Sequence, residues 1–117
     1  MIEPPPQVAA CRTAYATDQQ PERATEKAAV KAILAELSAR APGHSVEVRV
    51  PPYAAVQVIP GVRHRRGTPP ALVQLDAHTL IDLAVGALSW TQAQATGAVS
   101  ASGERSDLTV YFPLYAG

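Results

Sequence analysis

The chain has 117 residues and a mass of 12.3 kDa, which suits one hydrophobic core and not two. Ten basic and ten acidic residues give a formal net charge of zero, so no whole-chain field draws it onto nucleic acid or an anionic membrane. Hydrophobic residues make up 47%, an ordinary globular share that argues against disorder throughout.

Residues 1–20 read as an irregular N-terminal arm, because Pro4, Pro5 and Pro6 remove backbone donors and fix φ. Residues 21–117 read as a single domain. The one cysteine, Cys11, has no internal partner and falls in the arm, where its thiol is expected to be loose and modifiable. The segment "MIEPPPQVAACRTAY" has neither the basic start nor the apolar middle of a secretory signal. No apolar run is long enough to cross a bilayer, so the expectation is a soluble, cytoplasmic protein.

A helix is expected to begin around Pro21 or Glu22, with Asp18 or nearby polar groups as its cap. Ala29, Ile33, Leu37 and Val30, Leu34, Ala41 lie on adjoining rows at helical spacing and form one apolar stripe. Glu22, Glu26, Lys27, Lys31 and Glu36 are assigned to the solvent face, and Pro42-Gly43 ends the helix. The period then changes to two. "SVEVRV" puts Val46, Val48 and Val50 on one face, and "YAAVQVI" repeats the pattern with Ala54, Val56 and Val58. Pro51-Pro52 between them marks a bulge, a turn or an edge. A loop runs from Pro60-Gly61 to Pro69-Pro70, and "ALVQL" is a third strand. With no helix between these strands, an antiparallel meander is the simplest topology.

Asp76 is a good N-cap for a helix carrying Leu80, Leu83 and Ala84, and Gly86 stops it. Ser89 caps a shorter helix that turns Trp90 and Ala93 inward and ends at Gly97. "AVSAS" is a fourth strand with Val99 and Ala101 on one face. Ser106 or Asp107 opens a last helical turn holding Leu108, Tyr111 and Phe112, which Pro113 ends. The expected class is α+β, a small, mostly antiparallel sheet of about four or five strands covered on one face by helices.

Reactive chemistry is hard to find in this pattern. His44, His64 and His78 lack metal-site spacing, so no metal is expected. Asp76 and Asp82 lie on different helix faces, and the serines sit in no nucleophile motif. Arg63, His64, Arg65 and Arg66 concentrate positive charge in one loop, either as a solvated connection or as a clamp for a carboxylate or phosphate. Nucleic acid is not expected, since no aromatic residues interleave with these charges.

The ordered run Asp76, Thr79, Leu80, Leu83, Gly86, Leu88, Ser89, Trp90, Ala93, Gly97, Val99, Ser102, Gly103, Asp107, Leu108, Pro113 and Leu114 resembles the C-terminal half of sterol carrier protein 2 domains. With "VEVRVPPYAAVQVIPGVRHRRGTPP" ahead of it, the chain from about residue 25 to 114 looks still more like their short bacterial orthologues, the sterol carrier family proteins. The resemblance implies a non-catalytic domain, with no cofactor, that binds or carries a fatty-acyl or sterol-like ligand in an apolar space between helices and sheet. The lining then expected is Val56, Val58, Leu80, Leu83, Leu88, Trp90, Val99, Leu108 and Phe112, with the Arg63–Arg66 loop at the mouth as an anion clamp. The alternative is the same fold with a filled core, acting as a protein-interaction or homo-oligomerisation module.

Overall fold

The computed structural model describes residues 2–61 and 70–115. In chain order the elements are α1 (Pro6–Ala16), α2 (Arg23–Arg40), β1 (Val46–Val50), β2 (Ala54–Val58), β3 (Ala71–Leu75), α3 (Ala77–Val85), α4 (Trp90–Ala95) and β4 (Val99–Ser102), followed by a 3-10 turn at Thr109–Tyr111. The fold is α+β.

The four strands form one sheet in the order β2-β1-β3-β4. The β1–β2 and β3–β4 pairs are antiparallel, but β1 and β3 run parallel, with Val48 opposite Val73. The expected meander is therefore corrected to a mixed sheet. Pro51-Pro52-Tyr53 makes the tight turn that pairs β2 with one side of β1, where Tyr53 N–H donates to Val50 O. That leaves the other side of β1 open, and the long connection from residue 59 to 70 lets the chain return along it. Ala71 N–H donating to Ser45 O at 3.0 Å begins the parallel register.

Strand alternation fixes which face is covered. Val46, Val48, Val50, Val58, Val73, Leu75 and Val99 are buried in the single core. Arg49, Gln57, Gln74 and Ser100 are exposed on the opposite face, where Arg49 Nε meets Glu47 Oε2 at 2.5 Å. Helix α2 supplies Ala29, Val30, Ile33, Leu34 and Leu37 to the core, matching the stripe read from its spacing. It starts without a side-chain cap, so the Asp18 cap is not formed. Beyond it, Gly43 (φ 152°) lies against the start of the loop, and a Cβ there would fall 2.1 Å from Ile59 O.

The N-terminal segment corrects a second expectation. Pro6–Ala16 is a helix, not an irregular arm, and it packs on α2 and α3 with Val8 and Cys11 fully buried. A proline at the first helical position removes only a donor that has no partner there, so the proline run begins this helix. The Cys11 thiol is accordingly neither loose nor exposed. Burial, and then the negative charge of Glu26, push its pKa up to about 11.

Candidate functional site

The stretch from Asp76 to Gly97 folds as its punctuation indicates. Asp76 Oδ1 accepts from Thr79 N–H at 2.8 Å, capping α3, and Gly86 ends that helix in the left-handed conformation at φ 80°. Ser89 and Gln92 form a capping box on α4, each accepting the other's backbone N–H at 3.1 Å. Ala93, three residues after Trp90, is buried, and Trp90 keeps only 3% of its surface exposed. The Trp90 ring stacks on Phe112, with centroids 6.1 Å apart and an angle of 8° between planes. Ahead of Phe112, Thr109 N–H and Oγ1–H both donate to Asp107 Oδ1 at the start of the last turn. The chain beyond it is drawn inward as Leu114 and Tyr115 N–H donate to Ala84 O and Arg40 Nη2 donates to Leu114 O at 2.6 Å.

Between the α3–α4 corner and this C-terminal segment lies a half-open cavity of about 330 Å3. Leu88, Trp90, Phe112 and Pro113 give it apolar walls, with Ser89, Gln92 and Thr109 at its polar edge. The Trp90 Nε1–H is buried with no hydrogen-bond partner among the described residues. An unpaired donor of this kind is uncommon in a packed interior, and it marks the corner as imperfectly satisfied.

Of the nine side chains expected to line an apolar space, Leu88, Trp90 and Phe112 come together at this cavity. Val58, Leu80, Leu83, Val99 and Leu108 lie in the core between helices and sheet, each at most 3% exposed, and Val56 is half-buried on edge strand β2. Arg63, His64, Arg65 and Arg66 lie outside the described residues. The base of their loop is described: Ser45 Oγ donates to Ile59 O at 2.7 Å, and Arg105 Nη1 donates to Pro60 O at 3.3 Å.

A second polar cluster lies beneath α1, and the sequence reading assigned its centre to solvent. Glu26 is 6% exposed. Its carboxylate accepts from Tyr15 Oη–H at 2.5 Å, Tyr53 Oη–H at 2.7 Å and Gln20 Nε2–H at 3.2 Å, which offsets its desolvation. The Tyr15 ring stacks on His78 at 3.8 Å, His78 pairs with Asp82 at 3.2 Å, and the Arg23 guanidinium sits 5.6 Å from the Tyr53 ring centre. Burial and the bond to Glu26 raise the Tyr15 pKa, and its own hydrogen bond to Glu26 raises that of Tyr53. The signal was available. Glu26 is three, four and seven residues before Ala29, Val30 and Ile33, on the apolar stripe itself.

Among the described residues no group of three or more His, Cys, Asp or Glu is placed to hold a metal ion, and no helix is long and apolar enough to cross a membrane. A search of curated proteins found no match. A family profile described as the bacterial SCP ortholog matches residues 22–114, from the start of α2 to the clasped C-terminal segment. That is well over half of the chain, which therefore belongs to the bacterial family of sterol carrier protein orthologues.

Proposed function

We propose that this protein is a non-catalytic carrier that binds an apolar ligand, fatty-acyl or sterol-like, at the cavity between α4 and the C-terminal segment. The observation that carries this reading is the cavity itself, about 330 Å3 with Leu88, Trp90 and Phe112 on its walls and wholly within the matched residues. Ligand pockets run from about 300 to 1,000 Å3, so the space suits a short acyl chain or one end of a larger apolar molecule. Binding of this kind needs shape and apolar lining, since each methylene removed from water contributes about 0.8 kcal/mol. For an anionic ligand, Arg63, Arg65 and Arg66 are the proposed source of the neutralising charge. Replacing Arg63, Arg65 and Arg66 with glutamine should then weaken fatty-acid binding by about tenfold or more, while neutral lipids change little.

The second reading is an interaction or homo-oligomerisation module. It is favoured by the close packing of Val58, Leu80, Leu83 and Leu108, none more than 1% exposed, where a tunnel between helices and sheet would run. Native mass spectrometry of the purified protein separates the two. The carrier reading predicts a monomer with apolar mass bound, and the module reading predicts an oligomer without it.

A further inference from the structure

The family match begins at residue 22, so α1 packs on a domain whose matched part does not include it. It packs on α2 and α3 through a small buried face. Only Val8 and Cys11 are fully buried, and the N-terminus has no side-chain cap. At 11 residues α1 is shorter than the ~12–15 at which an isolated helix becomes even marginally stable in water. After it the chain reverses at Asp18 (φ 55°) and stays exposed until buried Pro21. Ahead of it, half-exposed Ile2 makes a single bridge to Tyr115.

The firm contact is Tyr15, bonded through its hydroxyl to Glu26 and stacked through its ring on His78. We propose that α1 is a strap that swings off the α2–α3 face as a unit while the rest of the domain stays folded, with Tyr15–Glu26 as its latch. Glu26 suits this role because its other carboxylate oxygen is held by Tyr53 from the β1–β2 turn. The latch can break on one side without leaving a buried carboxylate unpartnered. Opening uncovers the apolar strip that Val8 and Cys11 cover, with an acceptor at its rim. The strap operates whether or not the α4 cavity takes a ligand.

Cys11 reports the motion, because a fully buried thiol reacts only when α1 leaves. A thiol reagent should label the unmodified protein faster than its measured rate of global unfolding. Tyr15→Phe should raise the labelling rate by about tenfold or more, the loss of one charge-assisted hydrogen bond. Val99→Ala, in β4, should lower the melting temperature and leave the rate unchanged. Amide exchange of the unmodified protein, which needs no variant to fold, should show α1 less protected than α3. The strap is overturned if Cys11 labels only at the rate of global unfolding, if Val99→Ala speeds labelling in step with lost stability, or if α1 amides are as protected as those of α3.

Discussion

Beneath α1 the Glu26 carboxylate is buried and takes hydrogen bonds from two tyrosines and a glutamine, whereas beside α4 the Trp90 indole N–H is buried with no partner among the described residues. The first arrangement fastens one helix to its neighbours, and each of its polar groups finds a partner within the fold. The second tolerates an unsatisfied donor next to open volume. Departures from full polar satisfaction concentrate where a protein accommodates something besides itself, so the difference directs attention to the α4 corner as the working end.

Trp90→Ala should have the largest effect on this contrast. It removes a buried aromatic that stacks on Phe112, and should cost about 3–5 kcal/mol in chemical denaturation followed by circular dichroism. A loss below ~1 kcal/mol would mean that the corner is loosely packed already. Glu26→Ala should cost about 1–3 kcal/mol by leaving the Tyr15 and Tyr53 hydroxyls without their acceptor, and Glu26→Gln should cost less because an acceptor oxygen remains. If Glu26→Ala is neutral, the cluster is a solvated coincidence. Asp76→Ala, at a cap that belongs to neither region, should cost about 1 kcal/mol and sets the scale for both.

The smallest effect is a pH dependence centred on the fastened side. The Cys11 pKa is raised in the folded state to about 11 from its ordinary 9.0. The folded state therefore holds this proton more tightly than the unfolded chain does. The resulting stability is fully present below pH 9 and is lost as the pH rises to about 11. Tyr15, Tyr53 and Tyr115 are shifted in the same direction, so the decline continues above that window. Cys11→Ala should flatten the slope between pH 9 and 11 in thermal melts, and an unchanged slope would place the thiol in contact with water.

Periodicity made most of the domain legible. The α2 stripe, the alternation of β1 and the caps at Asp76, Gly86 and Ser89 are local signals, and each stands where it was read. Trp90 was also read correctly as buried, because a lone aromatic at the start of a capped helix has one apolar direction to take. Three consecutive prolines obscure helix α1 in the sequence. Val8, Cys11 and Tyr15 nevertheless recur at i, i+3 and i+7 behind a proline in the first helical position. The parallel pairing of β1 with β3 left no local trace, since alternation along a strand does not say which side of β1 receives the third strand. The cavity at the α4 corner was not legible, since the space expected lay between helices and sheet. Leu88, Trp90 and Phe112 were named, but periodicity cannot separate a side chain that borders open volume from one that fills the core.

The central claim is tested most directly by titrating the unmodified protein with a fatty acid while following tryptophan emission, because Trp90 is the only tryptophan and borders the cavity. A ligand seated against Leu88 and Phe112 predicts a saturable change at micromolar protein. Emission that stays constant, or that drifts without saturating, would contradict the carrier reading.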